Sequence, residues 1–206
     1  MTDSSAPNPA HTNARQGDLA AAISRDLLPF VTNPAQYVGG EVNAARKDWD
    51  AAAVRLCLAF PDTYAIGMSH LGSGIVYDVV NRRSDALCDR TYAPWGDAAD
   101  RLGALGLPLF AWESRRPVRD FDLVGFSLQY EMLATNVLAM LDLAGIPLLA
   151  EERGEADPLV LAGGPGTNNP EPMAPFFDLM VLGDAEAALP RFLDRYADLK
   201  AAGAPR

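Results

Sequence analysis

Four segments rich in glycine and polar residues carry the side chains best suited to bind a ligand. The first is FPDTYAIGMSHLGSG, residues 60–74, in which Gly67 and Gly72 would let the backbone approach a ligand or a helix closely. It is not a dinucleotide-binding fingerprint, because Gly72 and Gly74 have no third glycine at the required offset. Loops of this length are usually functional, and the alternative is a long turn that only starts a helix.

His70 is the residue of this segment that offers metal-binding chemistry. A neutral imidazole beside Ser69 could ligate a metal ion or the cobalt of a corrin. The other histidine is His11, and no cysteine lies close to His70 in the sequence, which argues against a zinc site. The alternative is a structural histidine held by hydrogen bonds.

The second segment is SLQYE, residues 127–131, directly after a strong predicted strand. The small and hydroxyl side chains at this strand end would admit a flat ligand, with Ser127 and Gln129 as candidate contacts. The alternative is that the Ser127 hydroxyl caps the helix that follows.

The third segment is GGPGTNNPEP, residues 163–172, whose glycines and prolines fix an unusual backbone. Gly163 and Gly164 follow a short buried strand and remove side-chain bulk at the edge of the sheet, so a tail or ring could slide against the strand end beside Pro165. Unpaired amides there could also bind an anion. The alternative is a rigid turn without a ligand.

The fourth segment is GDAE, residues 183–186, after the last predicted strand. Gly183 and Glu186 are its candidate contacts, because a carboxylate can accept hydrogen bonds from ligand hydroxyls or amides. The alternative is negative charge that only stabilises a helix N-terminus.

Several enzyme motifs are missing from the sequence. It has no G-x-S-x-G, no P-loop and no H-E-x-x-H, and its carboxylates form no recognisable pair with a nucleophile. An independent small-molecule enzyme is therefore the least favoured hypothesis. Cys57 and Cys88 are too far apart for a CxxC pair, and Cys57 fits a small buried hydrophobe.

The elements that position these segments alternate between strands and helices. Strands are predicted at 54–60, 86–92, 121–128, 146–149, 159–162 and 178–182, with a short strand or loop at 109–112. Helices are predicted at 71–81, 95–105, 130–144 and 184–199, and Pro190 in the last one implies a later start or a kink. This alternation indicates an α/β fold with a doubly wound, mostly parallel sheet of Rossmann-like or flavodoxin-like type. Ligands of such sheets bind at the carboxyl ends of the strands.

Length and charge narrow the function classes. The chain has 206 residues, 49% of them hydrophobic, and a net charge of −10. Such a charge argues against nucleic-acid and lipid-headgroup binding. Because neither a membrane span nor a signal peptide is visible in the sequence, we expect a cytoplasmic protein. We predict a disordered leader at 1–17, one domain at 18–200 and a tail or truncated linker at 201–206.

Six stretches, which run in order through most of the chain, carry a family resemblance. They are PAQYVGGEVNAARKD (34–48), AFPDTYAIGMSHLG (59–72), APWGD (93–97), FDLVGFSLQYEMLATNVLAMLDLAGIP (121–147), LAGGPGTNNPEP (161–172) and VLGDAEAALP (181–190). Together they resemble the N-terminal domain of the cobalamin-binding radical S-adenosylmethionine (SAM) proteins, whose full-length members continue into a radical SAM barrel.

The resemblance implies a cobalamin-binding-like domain that presents a corrinoid to a catalytic barrel region or subunit. The Gly-Gly element of such domains matches Gly163 and Gly164, whereas Ser127 is followed by Leu128 and Gln129 in place of a clear Ser-x-Leu element. In Asp-x-His-x-x-Gly loops the histidine binds cobalt, but here Met68 and Ser73 replace the aspartate and the glycine around His70, so the ligand role is not carried over.

The three-cysteine cluster motif of the family is not in this sequence, so we expect no iron–sulfur cluster on this chain alone. The chain could be a fragment, a split gene product or a decayed relic. The alternative function is a structural or interaction domain that keeps the fold, binds no cofactor and assembles with a separate radical SAM subunit.

Overall fold

The centre of the molecule is a five-stranded, fully parallel sheet, which a computed structural model shows within residues 16–206. The strands are β1 (Val54–Phe60), β2 (Ala86–Tyr92), β3 (Leu123–Ser127), β4 (Leu159–Gly163) and β5 (Leu179–Met180). Their order is β2-β1-β3-β4-β5, which is the flavodoxin-like order. The predicted α/β class and doubly wound parallel sheet are confirmed. The strand order reverses between β1 and β3, where the connections diverge and leave a crevice.

Six α-helices accompany the sheet in the described part of the chain. They are α1 (Gln16–Ala22), α2 (Tyr64–Ser69), α3 (Leu71–Asn81), α4 (Gly96–Leu105), α5 (Ala134–Ala144) and α6 (Ala185–Ala201). Residues 1–15 of the predicted leader lie outside the described residues, and Gln16 and Gly17 belong to α1. The domain boundary at 18 and the tail at 201–206 stay predictions.

Alternating strand residues divide the core between the two faces of the sheet. On one face, Leu56 and Leu58 of β1 pack with Tyr77 of α3 and with Leu189 and Leu193 of α6. The other face is covered mainly by α5, whose apolar side chains pack on Cys57, Ala59, Val124 and Val160. A third cluster joins the N-terminal helices to α4 and to the aromatic side chains Phe60, Tyr92, Phe110 and Trp112. Both sheet faces are covered, which is why β1 is apolar at almost every position.

Two predicted segments differ from what the sequence indicated. Residues 60–74 are not one long loop, because α2 and the first turn of α3 occupy most of it. The predicted helix at 130–144 begins as a 3-10 turn, Glu131–Leu133, and becomes α-helical at Ala134. Ser127 does not cap it, since Leu133 holds the N-cap position.

The predicted strand at 146–149 is wrong, because these residues belong to the turn that ends α5. Gly145 adopts a left-handed conformation with φ 67°, and the Ile146 amide donates to the Leu141 carbonyl at 3.0 Å. Ile146 is buried for this reason, as the apolar residue that closes a helix C-terminus. The predicted strand at 178–182 is reduced to the two residues of β5.

Among residues 16–206, no helix is both long enough and apolar enough to cross a bilayer.

Candidate functional site

The carboxyl ends of the strands border a cleft of about 480 Å³, which we call the switch-point cleft. It lies on the α3 and α6 face of the sheet, beside the reversal of strand order between β1 and β3. Nine of the eleven predicted site residues line it: His70, Gly72, Ser127, Gln129, Gly163, Gly164, Pro165, Gly183 and Glu186. The structure thus brings together all four segments that the sequence singled out.

The floor of the cleft is apolar and was not predicted from the sequence. Leu56, Leu58, Gly125 and Leu161 form it, and these residues alternate along their strands so that they share one face. Gly125 stands in the middle of β3, where a larger residue would fill the space beneath a ligand. The signal that could have found the floor is this glycine inside an otherwise bulky apolar strand.

Gly163 and Gly164 contribute to the cleft in different ways. Apart from its two chain neighbours, no heavy atom of the described residues would lie within 4 Å of a Cβ on Gly163, so the missing side chain leaves open space at the end of β4. Gly164 has φ +95°, and a Cβ there would lie 2.6 Å from the Leu128 carbonyl oxygen. The amide of Gly166 donates to this same oxygen at 2.9 Å. The backbone conformation at position 164 therefore requires glycine, whereas glycine at position 163 leaves space in the cleft for a ligand.

The polar pair at the end of β3 faces the same space. The Gln129 side-chain amide donates to the Ser127 hydroxyl oxygen at 2.8 Å. Ser127 is the register partner of Gly163 in the neighbouring strand, so the pair lies directly beside the open position. No acceptor for the Ser127 hydroxyl proton is present among residues 16–206, so this proton can be donated to a bound molecule.

His70 joins α2 to α3 at the rim of the cleft. Its Nδ1 accepts a hydrogen bond from the Ser73 amide at 3.1 Å, and it therefore caps the N-terminus of α3. The ring packs on Phe60 with 5.1 Å between centroids. Gly72 leaves room for this ring, since a Cβ there would lie 2.9 Å from the imidazole Cε1. The alternative interpretation, a structural histidine held by hydrogen bonds, therefore accounts for Nδ1 but not for Nε2.

The N-terminus of α6 completes the cleft opposite α3. Gly183 adopts φ +90°, and Asp184 is the N-cap residue, although its carboxylate makes no capping hydrogen bond. Glu186 lies in the first turn and is exposed. Its carboxylate suits the dipole of the helix and can also accept hydrogen bonds at the cleft mouth.

Two predicted site residues do not reach the cleft. Gly67 is buried in α2 against Tyr92, whose ring carbon would lie 2.4 Å from a Cβ at that position. Ser69 is exposed and donates to the Ile66 carbonyl at 2.8 Å within α2. Both residues belong to α2, and neither lines the cleft that His70 borders.

The cysteines and acidic residues do not gather into a metal centre. No group of three or more His, Cys, Asp or Glu side chains among residues 16–206 is arranged to hold a metal ion. Cys57 and Cys88 are buried, and burial raises the pKa of both thiols well above the usual range. They are packed as small hydrophobes.

Charge is distributed unevenly around the cleft. The segments that follow the five strands, at 61–70, 93–95, 128–133, 164–178 and 181–186, contain no lysine or arginine. They do contain carboxylates, among them Asp62, Glu131 and Glu186. The cleft can therefore offer neutral hydrogen-bond donors and acceptors but no cationic side chain from these segments.

Comparison with known proteins gives one match. The family model for radical SAM proteins, N-terminal, matches residues 72–206, about two-thirds of the chain, and begins two residues after His70. Neither a curated protein nor a solved structure matches.

Proposed function

This chain belongs to the family of radical SAM proteins, N-terminal, and from that premise we propose that it is a cobalamin-binding module that serves a radical SAM barrel. The module holds the nucleotide arm of the corrinoid in the switch-point cleft, and the partner is a barrel region or a separate barrel subunit. The observation that carries the proposal is the open space at Gly163, where a parallel sheet of flavodoxin-like order would otherwise be closed by a side chain.

The shape and lining of the cleft support this proposal. Its volume of about 480 Å³ falls within the range of roughly 300–1,000 Å³ that is usual for small-molecule sites. A flat ring would lie against the apolar floor at Leu58 and Gly125, while Ser127 and Gln129 offer hydrogen bonds at its edge. A bound corrinoid would supply the cobalt chemistry, and the residues of this chain would orient its arm and exclude water from the floor.

The surroundings of the cleft support a macromolecular partner. Leu71, Met132 and Leu182 follow β1, β3 and β5 and are 77%, 83% and 64% exposed. Hydrogen bonds join the segments in pairs, since Tyr130 donates to Asp62 at 3.2 Å and Thr167 donates to the Val181 carbonyl at 3.3 Å. The Gly166 amide, which donates to the Leu128 carbonyl at 2.9 Å, connects the two pairs. Large apolar side chains gathered at a ligand-binding edge are typical of a surface that another protein covers.

Binding of hydroxocobalamin tests the proposal directly. We expect purified protein to form a red complex with a shifted visible spectrum, and we expect the corrinoid to stay with the protein on gel filtration. Gly163→Val should abolish retention while it leaves the melting temperature almost unchanged, because the valine enters open space. Gly154→Val is the matched control, since a Cβ there also meets nothing within 4 Å and Gly154 lies outside the cleft.

Two results would contradict the proposal. The first is an unshifted spectrum with loss of all corrinoid from the wild-type protein on the column. The second is equal retention by Gly163→Val and wild type, which would place the corrinoid elsewhere on the molecule.

A second candidate function is an interaction domain that binds no cofactor, and the exposed rim at Leu71, Met132 and Leu182 favours it. Such a domain would co-purify with a subunit that carries the three-cysteine motif and would hold no corrinoid. Gly163→Val would then leave complex formation intact, whereas Met132→Asp would weaken it. This pattern separates the two candidates.

A further inference from the structure

The two ring nitrogens of His70 have different surroundings, and only Nδ1 has a hydrogen-bond partner among residues 16–206. It is the last residue before α3, and its Nδ1 accepts from the Ser73 amide at 3.1 Å, with the Ser73 hydroxyl oxygen at 3.0 Å. A backbone amide can only donate, so Nδ1 must carry a lone pair there. The single proton of the neutral imidazole therefore resides on Nε2.

The ring cannot exchange its nitrogens without cost. A flip about the bond to the ring would place carbon Cδ2 beside the Ser73 amide and leave the end of α3 without its cap. The ring is also held between Phe60, at 5.1 Å between centroids, and the backbone of Gly72, where no Cβ could fit without contact at 2.9 Å.

The Nε2 side of the ring is the side available to a ligand. His70 lines the switch-point cleft, and among residues 16–206 no protein group accepts a hydrogen bond from Nε2. This nitrogen is not one of the buried side-chain atoms that lack a partner, so solvent or a bound molecule can reach it.

We propose that His70 contributes to ligand specificity by donating a hydrogen bond from Nε2–H to the molecule bound in the switch-point cleft. The acceptor is an uncharged group, either a carbonyl oxygen or a ring nitrogen. The inference rests on the proposed function. The absence of lysine and arginine from the surrounding segments favours an uncharged acceptor over an anion.

The capping role of His70 opposes its use as an axial ligand. An imidazole that binds a metal through Nε2 keeps its proton on Nδ1 and donates it to an acceptor. Capping of α3 requires an unprotonated Nδ1, because the Ser73 amide donates to it. Coordination through Nε2 would instead require the proton to lie on Nδ1. His70 would have to release α3 before it could ligate cobalt.

Two variants separate the capping role from the donor role. His70→Asn keeps a side-chain oxygen that can accept from the Ser73 amide, because asparagine is a good N-cap, but it places no donor where Nε2 lies. His70→Ala loses both roles. We expect both variants to bind hydroxocobalamin about 3- to 10-fold more weakly, as loss of one neutral hydrogen bond implies, whereas only His70→Ala should lower the melting temperature.

Two spectroscopic measurements complete the test. Nitrogen-15 NMR of the ligand-free protein should show the His70 proton on Nε2, and a proton on Nδ1 would overturn the inference. Electron paramagnetic resonance of bound cob(II)alamin should be identical for unlabelled and nitrogen-15-labelled protein. A splitting pattern that changes with the label would show that a protein nitrogen coordinates cobalt, which also overturns it.

The outcomes distinguish this inference from the proposed function. If wild type binds hydroxocobalamin and His70→Asn binds it equally well, the inference fails and the proposed function stands. If wild type does not bind it at all, the proposed function fails, and the donor role falls with it.

Discussion

Neighbouring residues in this molecule differ in role because their backbones and environments differ. Gly163 and Gly164 are identical in type, but only Gly164 has a positive φ, and only there would a Cβ collide with a carbonyl oxygen. The sequence identified the pair as a place without side-chain bulk. It could not show which of the two opens the cleft, because that depends on the Leu128 carbonyl, which β3 brings alongside.

Asp89 in β2 is a buried carboxylate that the cleft does not use. It is 3% exposed, and its Oδ2 accepts from the Ser114 amide at 3.1 Å. Burial raises the pKa of Asp89, and the hydrogen bonds from Ser114 offset the shift only in part. A carboxyl group with a raised pKa binds its proton more tightly in the folded state than in the unfolded state.

The resulting prediction concerns stability and pH. The contribution of Asp89 is fully present below the unfolded pKa of about 3.9 and is lost as the pH rises through the higher folded pKa. Asp89→Asn keeps an acceptor for Ser114 but cannot ionise. Its free energy of unfolding should therefore fall less than that of wild type as the pH rises from the unfolded pKa through the folded pKa of Asp89. Urea denaturation at several pH values measures the difference.

Asp85 provides a control of opposite sign. Its hydrogen bond from Arg83 lowers its pKa, so Asp85→Asn should lose stability relative to wild type above the unfolded pKa of about 3.9. A pH profile of Asp89→Asn that runs parallel to that of wild type would refute the assigned role of Asp89.

At the scale of elements, α6 forms the wall of the cleft opposite α3. Beside it on the same face, α3 packs against α6, and Arg83 just after α3 pairs with Asp194 at 2.7 Å. Leu193 is completely buried, and Leu189 both packs there and lines the cleft. At the far end, Lys200 pairs with Asp122, the residue before β3, at 2.6 Å.

We predict that Leu193→Ala destabilises the protein by about 2–5 kcal/mol, because it leaves a cavity under α6. It should also weaken hydroxocobalamin binding at temperatures where the variant is still folded, since the wall at Leu189 loses its support. Thermal denaturation and spectral titration measure the two effects.

Leu199→Ala on the same helix is the matched control, because Leu199 is 38% exposed and its truncation should be close to neutral. Equal destabilisation by both variants would mean that α6 is not anchored at Leu193.

The helices show which elements periodicity can predict. The apolar spacing in 71–81 predicted α3 to the residue, and that in 130–144 predicted most of α5. The short helix α2 contains Gly67 and lies in a segment that reads as a loop, so no local pattern indicated it. It forms because Tyr64 and Met68 pack on the aromatic cluster, which is a tertiary contact.

At the scale of the whole molecule, the charge distribution sets what the sheet edge can bind. The net charge is −10, and the segments after the strands contain no cation. Folds of this strand order also bind flavin mononucleotide at the same crevice, and its phosphate needs hydrogen-bond donors or positive charge. This edge instead presents carboxylates such as Asp184 and Glu186 at the cleft mouth.

The molecule should therefore reject flavin mononucleotide, whose terminal phosphomonoester carries about two negative charges, while it binds hydroxocobalamin, whose nucleotide arm carries a phosphodiester with only one. Titration at physiological ionic strength should leave flavin fluorescence unquenched, with riboflavin as the control for the phosphate. Saturable quenching at micromolar flavin mononucleotide would show that the backbone amides outweigh the carboxylates, which is contrary to this account.

The sequence by itself determined the fold class, the four segments that border the switch-point cleft and the likeness to the radical SAM N-terminal family. These properties follow from local signals: buried strands are apolar throughout, helices repeat every 3.6 residues, and glycines cluster where the backbone must bend. Because parallel strands end at one edge, segments such as 127–131 and 163–172 could be grouped before any coordinates were known.

Only the tertiary structure decided how those segments are used. It turned Gly67 and Ser69 away through α2, placed Gly125 beneath the cleft and aimed one nitrogen of His70 at α3. The physical reason is that direction and depth come from packing between residues far apart in the chain. A residue type states which hydrogen bonds and contacts are available, and the folded neighbours determine which of them remain for a ligand.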